Sequence, residues 1–205
     1  MKEQRYLLVI LLITMLITAG CTAPEEATPI EQEVEENESK LPERLNLIAQ
    51  TPGRDYDQTQ EFDILAEANG SKTLILWVST GCSGCHDWSE KIAESMNNGS
   101  ISNDTRIISI HRYPAFETRE DVIEVYASNN SSYNSLWPVL MPEDKQPAID
   151  VSKGAPTEMD YAEAFGTPAT PSFTILDGDG KTVWTKRNYR FDESVLQEAI
   201  EVLNS

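Results

Sequence analysis

Two cysteines, Cys82 and Cys85, stand where one periodicity gives way to another. Upstream, Thr73 to Val78 reads Thr-Leu-Ile-Leu-Trp-Val, a continuous apolar, β-rich run with the length of a strand buried on both faces. Downstream, Trp88, Ile92, Ala93 and Met96 recur at helical spacing until Asn97-Asn98-Gly99 stops the pattern. The turn between them is Gly81-Cys82-Ser83-Gly84-Cys85. A two-faced strand that feeds directly into an amphipathic helix needs cover on both sides, which calls for an α/β architecture.

The rest of the chain fits that frame. Phe62, Leu65, Ala66 and Asn69-Gly70 predict a short helix with a glycine stop, Thr105 to Ile110 a second buried strand, and Arg119 to Ala127 a second amphipathic helix. Phe173 to Leu176 and Thr182 to Thr185 flank Asp177-Gly178-Asp179-Gly180, a hairpin signal, and Glu193 to Leu203 reads as a closing helix. Strands that alternate with helices and end in a hairpin predict a central mixed sheet flanked by helices. No internal repeat is present, and 205 residues suffice for one well-buried domain with appendages.

The N-terminus is laid out for export. Lys2 and Arg5 precede an uncharged run from Tyr6 to Thr18, followed by Ala19, Gly20 and Cys21. The run is shorter than the ~20 residues of a spanning helix, which favours cleavage over a permanent anchor. Small residues before a cysteine resemble the lipobox of bacterial and archaeal lipoproteins, in which that cysteine is lipidated; Thr18 departs from the usual Leu. An uncleaved anchor is the competing reading, and both leave the remainder outside the cytoplasm.

From Thr22 to about Leu45 the chain is rich in Pro, Thr and Glu, with Glu31, Glu33, Glu35, Glu36 and Glu38 around Val34, so it buries too little apolar surface to fold and its like charges extend it. The expected organisation is a signal peptide over 1–20, a lipid-anchored acidic tether over 21–55, and a folded domain over 56–205. Six Asn-x-Ser/Thr sequons, at Asn37, Asn69, Asn98, Asn103, Asn129 and Asn130, are glycan acceptors only in an organism that glycosylates exported proteins. A net charge of −18, from 34 acidic and 16 basic side chains, repels nucleic acid phosphates and argues against a nucleic acid partner.

With Cys21 assigned to the anchor, Cys82 and Cys85 remain as a pair in a compartment that permits a disulfide. The first cysteine sits where the chain enters the helix, where partial positive charge and free N–H groups stabilise its thiolate. The expected cycle is attack by Cys82 through a mixed disulfide, resolved by the more buried Cys85 on the first helical turn. The motif does not determine the direction of electron flow.

Trp77-Val-Ser-Thr-Gly-Cys82-Ser-Gly-Cys85 resembles the tryptophan-to-CxxC segment of the thioredoxin superfamily, and Phe165-Gly-Thr-Pro-Ala-Thr170-Pro171-Ser-Phe173 resembles the stretch that ends in its cis-proline. The resemblance implies a thioredoxin-like fold over roughly Tyr56 to Leu203 and thiol–disulfide oxidoreductase activity, with no cofactor and no metal. It implies catalytic Cys82 and Cys85, and Thr170, Pro171 and Trp77 as substrate-side residues, although Trp77 is equally readable as core. Asp121 to Tyr126 followed by Leu136-Trp137-Pro138-Val139-Leu140 is similar to the insertion before the cis-proline strand in extracytoplasmic TlpA-like proteins. Exported protein thiols or disulfides and a membrane redox partner are the implied partners. Three departures stand out: Leu76 where thioredoxin has a buried acid, Gly81 where it has tryptophan, and Ser-Gly for Gly-Pro between the cysteines.

Other chemistries share parts of the pattern. Cys82-Ser-Gly-Cys85-His86 satisfies the CxxCH rule for covalent c-type haem, with His86 as axial ligand, but a buried strand running into the motif and a downstream Thr-Pro do not suit a small helical cytochrome. Zinc would need further ligands, and only His86 and His111 are available besides carboxylates. Copper handling would draw on His111, a peroxidase would require a Pro-rich loop around Thr80, and a purely structural Cys82–Cys85 disulfide fits the helix-start position poorly. Trp88, Trp137 and Trp184 read equally as core or groove.

Overall fold

The computed structural model describes residues 41–205; the expected signal peptide, Cys21 and most of the tether lie outside them. In chain order the strands are β1 (Leu45–Asn46), β2 (Ile48–Gln50), β3 (Glu61–Asp63), β4 (Thr73–Val78), β5 (Ile107–His111), β6 (Val139–Leu140), β7 (Pro147–Asp150), β8 (Ala155–Asp160), β9 (Ser172–Leu176) and β10 (Thr182–Lys186). The helices are α1 (Ile64–Ala68), α2 (Ser83–Asn97), α3 (Arg119–Tyr126), α4 (Tyr161–Ala164) and α5 (Glu193–Asn204).

The central sheet has the order β10-β9-β4-β5-β6. β4, β5 and β6 run parallel, whereas β9 pairs antiparallel with both β4 and β10, so the sheet is mixed as expected. β4 explains its unbroken apolar sequence: Leu74, Leu76 and Val78 enter a core with α2 and α5, while Ile75 and Trp77 enter a second core on the opposite face with Leu47, Phe62 and Tyr161. A strand buried on both faces loses the period-2 signal and reads as a continuous run.

Local chemistry sets the ends of the elements. Asp63 caps α1 by accepting the Leu65 and Ala66 N–H groups, and Asn69 closes it in the left-handed conformation. Thr118 and Asp121 form a reciprocal capping box on α3. In the β9–β10 turn, Gly180 has φ +86°, and a Cβ there would strike the Leu45 carbonyl. Leu45 N–H donates to Gly180 O at 2.8 Å, which ties the start of the domain to this hairpin.

Three parts of the fold differ from the sequence-based expectation. The domain begins well before Tyr56: β1 pairs with β7 and β2 with β3, and Leu45, Leu47 and Ala49 are core residues, so this part of the supposed tether is folded. These strands are too short to show a period, and only their partners, distant in sequence, bury them. Phe62 belongs to β3 and the helix starts at Ile64. The insertion adds more than a helix and a strand, because β7, β8 and α4 follow β6. Helices α2, α3 and α5 and the hairpin lie where the sequence predicts them, within about two residues.

A buried ion pair joins the early chain to the insertion. Arg54 donates to both Asp57 oxygens, and its guanidinium also donates to the carbonyls of Tyr126, Ser135 and Trp137. Asp57, fully buried, also accepts the N–H of Val139 at the start of β6.

Candidate active site

At the C-terminal end of β4 the chain turns through Ser79 to Gly81 into α2, with Cys82 as the N-cap residue in extended conformation. Cys82 and Cys85 form a disulfide across a Cα–Cα distance of 5.2 Å. The Cys85 N–H, one of the donors a helix start leaves without an intrahelical partner, points at Cys82 Sγ at 3.1 Å. Cys82 is 8 % exposed and Cys85 is completely enclosed. Cys82 is therefore the less enclosed of the two, and its sulfur has the helix N-terminus behind it.

The Thr170–Pro171 bond is cis, at the end of the segment that leads into β9. Pro171 packs on the first turn of α2: a Cβ added to Gly84 would lie 3.1 Å from Pro171 Cδ and would strike the Tyr189 carbonyl. Glycine between the cysteines is therefore a matter of space. Thr170 Oγ1 lies 3.5 Å from Ser79 Oγ, and Ser83 Oγ lies 2.8 Å from the Tyr189 hydroxyl. Thr170 and Pro171, distant from the cysteines in sequence, are thus brought against the start of α2 and the loop before it.

The loop before Cys82 is held at three points. Tyr126 donates its hydroxyl proton to Ser79 O at 2.7 Å, and burial holds that phenol in its protonated form. His86 Nε2 lies 2.8 Å from Thr80 O, with its ring stacked on Tyr133 at 4.2 Å. The Thr80 N–H donates to Glu117 Oε2 at 2.8 Å, and Gly81 N–H makes a longer contact to Oε1 at 3.4 Å. His111 Nε2, at the end of β5, lies 2.7 Å from the same Oε2.

Burial pushes the Glu117 carboxyl up, but the Thr80 N–H, the His111 ring and the Gly81 N–H outweigh it and hold the group below the ordinary carboxylate range. Burial pushes His111 down, only partly offset by Glu117, so the ring favours the neutral form. A neutral ring donating from Nε2 to an ionised carboxylate satisfies both partners.

Not every expected site residue lies at the surface. The Trp77 side chain is fully buried in the far core, stacked on Tyr161 at 6.2 Å and donating from Nε1 to Thr174 Oγ1 at 3.0 Å, so it is a core residue and not a substrate contact. It meets the site only through its carbonyl, 3.9 Å from Cys85 Sγ. Trp88 and Trp137 are buried and Trp184 packs partly buried on the same core, while Trp137 also borders a cleft with Tyr56, Arg106 and Leu136. Leu76 is wholly enclosed among apolar neighbours, which leaves no acid at that position on β4.

His86 Nε2, the nitrogen a haem iron would need, is engaged by Thr80 O, and His111 Nε2 is engaged by Glu117. Among the described residues there is no cluster of three or more His, Cys, Asp or Glu side chains arranged for a metal, and no helix long and apolar enough to cross a membrane. Sequence reasoning missed Glu117 altogether. An acid just ahead of a helix reads as an ordinary first-turn charge, and the 36-residue separation from Gly81 gives no local pattern.

Residues 60–193 match the family model described as a thioredoxin-like domain. No curated protein matches the sequence. Among solved structures, the chain is similar to the thioredoxin domain of a thiol-disulfide oxidoreductase from Bacteroides vulgatus, with 15% identity, a TM-score of 0.51, and coverage of 77% of this chain and 93% of that one. A Chlorobium tepidum structure assigned as a thiol:disulfide interchange protein, DsbE, has 11% identity, a TM-score of 0.53, and coverage of 78% and 94%. A hypothetical protein of Sinorhizobium meliloti has 16% identity, a TM-score of 0.53, and coverage of 80% and 83%. At such identities the likeness is one of fold.

Proposed function

Because the chain belongs to the thioredoxin-like domain family, we propose that it exchanges disulfides with exported proteins through Cys82 and Cys85 while anchored to the outer face of the cell membrane. The reading rests on one observation above all: an N-cap cysteine, slightly open to solvent, is paired with a buried one beside a cis-proline.

In the reducing direction the Cys82 thiolate attacks one sulfur of a partner disulfide. An S–S bond forms between Cys82 and that sulfur, and the partner's other sulfur leaves as a thiolate that takes up a proton. Cys85 loses its proton to solvent and attacks Cys82 Sγ. The mixed disulfide breaks, the partner's second thiol departs, and Cys82–Cys85 is left oxidised with two electrons transferred. The oxidising direction is the reverse, and the potentials of the partners select between them.

Thr170 and Pro171 contribute orientation. Proline offers no N–H, so the Thr170 backbone beside the sulfurs is left to pair with an incoming extended chain. Attachment through Cys21 accounts for the Ala19-Gly20-Cys21 sequence and would keep the domain near a membrane redox partner and newly exported thiols.

The test is a trapping experiment. Cys85→Ser is expected to accumulate mixed disulfides with exported proteins, because nothing remains to resolve them, while Cys82→Ser traps none. Equal trapping by both variants, or by neither, overturns the proposal.

A further inference from the structure

Glu117 belongs to no recognised part of the motif, yet its carboxylate bonds to the two residues immediately before the attacking cysteine. It reaches them from the turn ahead of α3 and is braced by His111. The groups facing it are His111 from β5, the Thr80 and Gly81 amides, and the phenol of Tyr126 from α3, with His86 of α2 bonded to the Thr80 carbonyl on the other side of the loop. Among the described residues no lysine or arginine forms an ion pair with Glu117.

We propose that Glu117 is a positioning residue that holds the Ser79–Gly81 loop in front of Cys82 and, as a fixed negative charge one residue from that sulfur, biases the pair toward its disulfide. The inference rests on the thiol–disulfide function given above. Reduction creates a thiolate at Cys82, and a neighbouring carboxylate opposes that charge while leaving the uncharged disulfide unaffected. The helix N-terminus favours the thiolate, so the two act in opposite directions on one sulfur. Such a bias suits a donor of electrons. The arrangement also places an acid beside the motif, although Leu76 removes the one expected on β4.

Glu117→Gln separates charge from geometry. With its amide oxygen in the place of Oε2 it can still accept from both the Thr80 N–H and His111 Nε2, and only the longer Gly81 contact is lost. In the full-length protein equilibrated with glutathione, Glu117→Gln is expected to shift the equilibrium toward the dithiol by about tenfold, or ~30 mV for a two-electron couple. The pH at which half of Cys82 is alkylated should fall in parallel. Glu117→Ala should give the same shift and also speed amide exchange at Thr80 and Gly81. Glu201→Gln, exposed near the end of α5 where Lys72 at the opposite end of β4 from the motif donates to the Val202 carbonyl, removes the same net charge and should leave the equilibrium within twofold of the parent protein.

A Glu117→Gln equilibrium within twofold of the parent, or an equal shift in Glu201→Gln, overturns the electrostatic role. Unchanged exchange at Thr80 and Gly81 in Glu117→Ala overturns the positioning role. A parent protein that fails to equilibrate with glutathione at all would instead remove the underlying function, a result distinct from any behaviour of the variants.

Discussion

Gly84 lies against the carbonyl oxygen of Tyr189, with Pro171 on the same side, so that the first turn of α2, the cis-proline segment and the loop after β10 meet at a position with no room for a Cβ. The residue between the cysteines therefore determines how closely the proline can approach the sulfurs. Gly84→Ala should cost about 1–3 kcal/mol in urea unfolding, the usual range for overpacking a tight contact. It should also slow exchange with a peptide disulfide, because Pro171 has to withdraw. A variant with unchanged stability and rate would mean that the contact yields without consequence.

The Arg54–Asp57 pair predicts a large effect far from the cysteines. Removing one partner of a buried ion pair leaves the other uncompensated, and such losses run to about 3–5 kcal/mol. Arg54→Leu should destabilise the domain by that order, measured by urea unfolding, since Asp57 is wholly buried and four further acceptors lose the guanidinium. Replacing both residues by apolar ones should recover part of the loss.

Acid should weaken the domain in two stages. The folded-state pKa of His111 lies below its ordinary 6.5, so unfolded chains bind the proton more tightly and stability falls as pH drops below about 6.5. The Glu117 carboxyl lies below its ordinary 4.5, so its contribution is complete above that pH and is lost as pH falls further. Melting temperatures between pH 7 and pH 4 should decline in the parent protein and decline less in His111→Asn. An identical slope in the two proteins would remove His111 from the account.

The anchor makes a separate prediction, from residues outside the described part of the chain. Cys21→Ser should move the protein from the membrane fraction to the soluble one, or leave it unprocessed, without changing exchange by Cys82 and Cys85. Retention in membranes as a processed form would show that another segment holds it there.

What could be read from the sequence is what depends on neighbours in the chain. β4 announces itself because burial on both faces requires an unbroken apolar run, and α2 because its buried residues repeat at helical spacing. The Cys82–Cys85 pair is legible for the same reason: a separation of three fixes the loop it can close, and the helical pattern that follows places Cys82 at the helix start. Asp177 to Gly180 spells out its turn through residues that tolerate unusual backbone angles.

Tertiary structure alone decided what depends on partners distant in sequence. β1 and β2 carry two and three residues, too few for a period, and they are strands because β7 and β3 pair with them. Trp77 could have faced a substrate or the core; the choice was made by which face of β4 meets Tyr161 and Phe165. Glu117 could have been any solvated acid until the packing of α3 beside the motif brought it to the amides of Thr80 and Gly81. A sequence specifies periodicity and local bonding directly, whereas a contact across 36 residues forms only when the surrounding sheet and helices fix both ends, so it leaves no pattern to read beforehand.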